Sequence, residues 1–147
     1  MANAKQLENK ELSLRKHSFG MIVALAVQYL LGIVTNLFVT FPDSSNDKEL
    51  WEFARTQIPL VLHIVVGFLL LFGSMALFIR SNKYKYRTWQ ISSGINLIAV
   101  LAAFIMGVKF IPSQSDTYSF LMAVGFIVAV LSLGWGIYSS TLSKPRN

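Results

Sequence analysis

Few polar side chains interrupt the long apolar stretches of this chain, and those few are where chemistry could sit. Serines and Thr40 apart, they are Gln28, Thr35, Asn36, His63, Asn96 and Lys109. Polar groups are costly in hydrocarbon, so each is a candidate functional residue by default. His63 is the most informative. Imidazole is the commonest metal-ligating side chain, and His with Met is an axial pair for haem iron. His17 lies at the opposite end of the first apolar stretch, roughly 25 Å from His63 across a hydrocarbon core of about 30 Å. The two cannot share an ion, so a bis-His site would require His63 of a second copy.

Other chemistries lack their residues. The chain has no cysteine, which removes disulfides, thiolate metal sites, iron–sulfur clusters and Cys-pair redox enzymes. No Asp or Glu falls within the apolar stretches, so a proton-coupled exporter of the small multidrug class lacks its carboxylate. His63 has no nearby acid to build a hydrolytic relay. There is no phosphate-binding glycine loop and no zinc-type His pair. A channel with a charged ring would need more than Lys109.

The elements that carry these residues follow from composition. Hydrophobic residues make up 54% and charged residues 14% of the 147 residues. The charged share is far below the quarter or so of a soluble domain. A helix needs roughly 20 mostly apolar residues to cross a bilayer, and four stretches qualify: about 19–41, 58–79, 91–111 and 118–138. The expected fold is therefore all-α, an integral membrane four-helix antiparallel bundle forming a single domain over 1–147. Residues 1–16 are polar, and the apolar run after them is too long for a signal-peptide core. Pro42 and Pro112 are expected to end the first and third spans, and Pro59 to sit in the first turn of the second. Trp89, Tyr118 and Tyr138 fall at span ends, where aromatic belts form. The outer-loop segment 47–57 reads as a short amphipathic helix capped by Asp47, with Leu50, Trp51 and Ala54 on one face. The tail from Ala4 to Lys16 carries Leu7, Leu12 and Leu14 among charges and is expected to lie on the membrane as a short helix.

Charge sets the orientation. Of thirteen Lys and Arg residues, ten lie in the two termini and the loop between spans two and three. Both termini are thus expected in the cytoplasm, in a prokaryotic cell membrane, with the acidic loops outside. The basic residues report orientation and not affinity for nucleic acid. The basic loop, Arg80 to Arg87, reads either as this topology signal alone or as a contact for anionic lipid.

Depth estimates gather the unusual side chains in one outer layer. At a rise of about 1.5 Å per residue, Asn36, His63 and Met106 lie roughly 8 Å in and Met122 about 6 Å in. Lys109 is shallower, placed to meet haem propionates. Gly67, one turn below His63, leaves room for a flat macrocycle. The inner half reads as plain packing. A faint internal repeat relates spans one and two to spans three and four. It pairs Gly32 with Gly107 and Gly67-Phe68 with Gly125-Phe126, and it sets His63 against Leu121.

The stretch Gln28-Tyr29-Leu30-Leu31-Gly32, followed after a loop by Leu62-His63-Ile64 and Gly67, resembles the haem A synthase family, over about residues 24–75. That family carries a similar Q-x-x-L-G on one helix and an L-H-hydrophobic opening the next. The resemblance implies one four-helix half of such a protein, with haem held near the outer face. Each half of the family has a His pair, whereas this chain has one intramembrane His. The family's outer carboxylate has no clear counterpart, although Glu49 and Glu52 lie in the corresponding loop.

Two readings stand side by side. One is a haem-binding or haem-handling membrane protein with His63 as metal ligand, Met106 or Met122 as its partner, and Gly67, Lys109 and Asn36 around the cofactor. The other is a cofactor-free accessory subunit that stabilises a larger membrane complex through its helix faces. Beyond the lipid bilayer, the expected partners are a homodimer or that complex. Neither reading fixes whether the chain is an enzyme.

Overall fold

The computed structural model describes residues 2–43 and 46–142, together with side chains from Lys5 to Thr141 apart from that gap. Five helices account for nearly all of it: α1 (Ala2–Phe38), α2 (Asp47–Thr56), α3 (Ile58–Tyr84), α4 (Arg87–Ser113) and α5 (Asp116–Leu142). α1, α3, α4 and α5 are each long and apolar enough to cross a membrane. Only 17–28% of the most apolar window of each is buried inside the bundle. The remaining apolar surface, including Leu30, Leu69, Ile98 and Leu131 at 60–70% exposure, requires hydrocarbon as its solvent. The chain is an all-α four-helix membrane bundle.

Connection length sets the neighbours. α3 passes to α4, and α4 to α5, through two residues each, so these helices must lie antiparallel side by side. Both turns use the same device. Lys85 (φ 58°) and Gln114 (φ 50°) take the left-handed conformation that a non-glycine residue adopts at a cost of about 1 kcal/mol. Their backbone N–H groups donate to Asn82 O and Phe110 O and close the preceding helix. α1 packs on α3 and α5, which completes a ring in the order α1, α3, α4, α5.

Several expectations need correction. The tail is not a separate surface helix, because α1 runs unbroken from Ala2. Leu14 is fully buried in the main core, and Lys10 stands over the Tyr84 ring, 5.5 Å from its centroid. Tyr86 donates its hydroxyl to Leu7 O at 3.1 Å. Burial, and then the charge of Glu11, raise the Tyr86 phenol above its ordinary value, so the donor stays protonated. Trp89 is not in an aromatic belt: it is 1% exposed and packs against Gly136. Asn46 caps α2 by accepting from Lys48 N–H at 3.1 Å, and Asp47 is the first helical residue. Helix α1 ends four residues before Pro42, while Pro112 lies inside the last turn of α4. Pro59 holds its expected place in the first turn of α3. Lys144 and Arg146 lie outside the described residues.

The half that carries the α3–α4 turn, expected as the inner half to be plain packing, is more polar than that. Ser18, Ser74, Ser81, Ser92, Ser93 and Asn96 are all fully buried there. Asn96 donates to Ser74 Oγ at 2.9 Å, Ser81 and Ser93 share a 2.7 Å hydrogen bond, and Ser92 donates to Ser132 O at 2.6 Å. These bonds tie α3 to α4 and α4 to α5. Interhelical bonds of this kind contribute about 0.6 kcal/mol each on average. Gly136 lies so close to Ser92 and Trp89 that a Cβ there would meet both within about 3 Å, which leaves this half tight.

Candidate functional site

The half of the bundle under α2 opens where the half beside the α3–α4 turn closes. Between the four long helices lies a cavity of about 470 Å³, within the range of about 300–1,000 Å³ usual for small-molecule sites. α2 covers its end. Leu50 and Ala54 of α2 pack with Leu60 and Ile111 below, and Trp51 reaches the cavity lining. Phe41 braces this cover through edge contacts with Phe53 and Phe110 at 5.7 and 5.9 Å.

The lining has an approximate two-fold symmetry that exchanges α1 with α4 and α3 with α5. Leu25 answers to Val100, Gln28 to Ala103, Tyr29 to Phe104, and Gly32 to Gly107, and all eight face the cavity. Contacts repeat as well. Tyr29 stacks on Phe126 at 4.8 Å, and Phe104 meets Phe68 at 4.8 Å across the equivalent interface. A Cβ on Gly67 would meet Gln28, and one on Gly125 would meet Ala103. A Cβ on Gly32 would stand 3.2 Å from His63 Cε1, and one on Gly107 would stand 3.3 Å from Met122 Sδ. The glycine register read from the sequence is thus the one the contacts use. It fails at one position. Leu121, set against His63 by that register, is exposed, and Met122 occupies the corresponding place in the lining.

Polarity breaks the symmetry. The α1 and α3 walls present Gln28, Thr35, Asn36 and His63. Their counterparts on α4 and α5 are Ala103, Phe110, Ile111 and Met122. One wall is polar and the other is apolar apart from Ser119. Gln28 Nε2 lies 3.1 Å from His63 Nε2. His63 Nδ1, Gln28 Oε1 and Thr35 Oγ1 are buried without a protein partner. Three unmatched polar atoms in one apolar cavity form a costly arrangement, and a bound group could relieve it.

The candidate residues separate accordingly. His63, Gly67, Met122 and Asn36 line the cavity, Asn36 being solvent-exposed. Met106 and Lys109 do not line it, and Lys109 is exposed. Glu49 and Glu52 lie exposed on α2, Glu49 accepting from Asn46 and Glu52 paired with Lys48. Among the described residues no group of three or more His, Asp or Glu converges as a metal cage. Thr35, already among the intramembrane polar candidates, joins the lining, whereas residue type alone passed over the aromatic pairs. The repeat was the signal that could have found the pairs, since it superposes Tyr29 on Phe104 and Phe68 on Phe126.

Compared with known proteins, the chain matches no family model, no curated protein and no solved structure.

Proposed function

We propose that this membrane bundle binds haem in the cavity beneath α2, with His63 and Met122 as the side chains that would hold its iron. The observation that carries the reading is the symmetric placement of these two side chains. They sit on opposite walls, and a glycine of the adjacent helix makes room for each. The apolar cavity and its aromatic side chains suit the faces of a flat macrocycle. Thr35 and Asn36 offer hydrogen bonds to its polar edge. Bound haem would supply electron transfer or ligand chemistry at iron. The protein's share would be to exclude water, to fix the imidazole through Gln28 and to offer His63 and Met122 to the iron. The likeness of residues 24–75 to haem A synthase supports the same assignment. The distribution of Lys and Arg supports an orientation with both termini cytoplasmic, so that the cavity lies in the outer half beneath α2.

The test is an absorption spectrum of the purified protein, oxidised and reduced. A Soret band is expected, lost in His63→Ala and shifted in Met122→Leu. A colourless protein from haem-replete cells overturns the proposal. In that case the cofactor-free accessory subunit gains, and a pull-down in mild detergent should recover stoichiometric partners.

A further inference from the structure

A second concavity lies at the other end of the bundle. It is an open groove of about 640 Å³ between α1 and α3, lined by Asn9, Leu12, Ser13, Lys16, His17 and Arg80. The Arg80 guanidinium reaches across from α3 to α1, its Nη1 3.5 Å from His17 Nδ1. Lys16 and Arg80 are both exposed, and neither forms an ion pair with an acid among the described residues. The acid nearest in sequence on α1, Glu11, is paired with Arg15. The groove therefore gathers two cations without a matching anion. Beside it the helix faces turn apolar: Phe19, Val23 and Ile79 are 49–64% exposed. They begin the stretches that need hydrocarbon. A cationic, hydroxyl-bearing groove above an apolar face matches a molecule with an anionic head and acyl chains.

We propose that this groove binds the phosphate head group of an anionic phospholipid, held by Lys16 and Arg80 with Ser13 and Asn9 as hydrogen-bond donors. His17 accepts from Arg80 and keeps the guanidinium aimed across the groove. The acyl chains run along the exposed face of α1 and α3. This assignment is independent of the haem reading, since the groove and the cavity share no residue.

The test uses the full-length protein in a neutral detergent with short-chain phosphatidylglycerol as the probe. Binding is read from thermal stabilisation and by native mass spectrometry. Phosphatidylglycerol should bind and phosphatidylcholine of the same chain length should not. The Lys16→Ala/Arg80→Ala double variant should weaken binding about thirtyfold, each basic group near an anionic surface being worth about a factor of five. Lys48→Ala, at the opposite end, should change nothing. Both altered side chains are exposed, and unchanged elution on gel filtration verifies that the variant folds. Arg80→Lys serves as a second variant and should retain part of the affinity. Equal binding of phosphatidylcholine, or an unchanged affinity in the double variant, overturns the proposal. So does inorganic phosphate stabilising as strongly as the lipid, which would make the ligand a free anion.

Discussion

Gln28 Nε2 and His63 Nε2 lie 3.1 Å apart, on two different helices, in the lining of one cavity. This contact governs which imidazole nitrogen is available. With the amide N–H donating, Nε2 is the acceptor and the proton sits on Nδ1. With the amide turned over, Oε1 accepts from Nε2–H and the Nδ1 lone pair is free for a metal. Oε1 has no other protein partner, so turning it breaks no second bond within the protein. Replacing Gln28 by Ala should therefore weaken retention of a metal-bound group by about 10–100-fold, the usual cost of removing the partner of a ligating His. Haem retention during dialysis against apomyoglobin measures it, with Gln28→Glu expected to keep the ring oriented. Unchanged retention in Gln28→Ala would remove Gln28 from the site.

Met122 stands where the two-fold arrangement requires a counterpart to His63. Met122→His should convert a His/Met spectrum to a bis-imidazole one, with loss of the charge-transfer band near-infrared spectroscopy assigns to Met ligation. The reduction potential should fall, since Met in place of His raises it. Leu121→His, which the sequence register alone would favour, should leave the spectrum unchanged because Leu121 is exposed away from the lining.

Two glycines at equivalent positions should respond differently to alanine. At Gly125 a Cβ would come within 3.0 Å of both the Ala99 carbonyl oxygen and Ala103 Cβ, and neither can move without shifting α4. At Gly67 the only neighbour is the end of the flexible Gln28 side chain, at 3.4 Å. Gly125→Ala should cost about 1–3 kcal/mol, as overpacking does, and Gly67→Ala close to nothing. Melting temperatures in one detergent decide it. Equal losses would mean that α4 and α5 are no more tightly packed than α1 and α3.

Orientation can be read from single cysteines, because the native chain has none to give a background. Lys48→Cys on α2 should react with an impermeant maleimide in intact cells. Lys83→Cys, near the α3–α4 turn, should react only after permeabilisation. Both native side chains are exposed, so access through the protein does not limit either reaction. The reversed pattern would place the termini outside.

The sequence by itself determined the four spans, their antiparallel order and the cover helix, because hydrophobic length and turn chemistry act over a few consecutive residues. It also carried the internal repeat, since Gly32, Gly67, Gly107 and Gly125 sit at matching places. What only the tertiary structure decided was which way each side chain points. Met106 and Met122 are both methionines near the same end of the bundle, yet only Met122 lines the cavity. In a helix surrounded by lipid the outward and inward faces are both apolar, so periodicity does not mark the inner one. The same loss of signal hid the serine contacts near the α3–α4 turn and left Trp89 looking like a belt residue. Composition located the layer that holds His63, and packing assigned its neighbours.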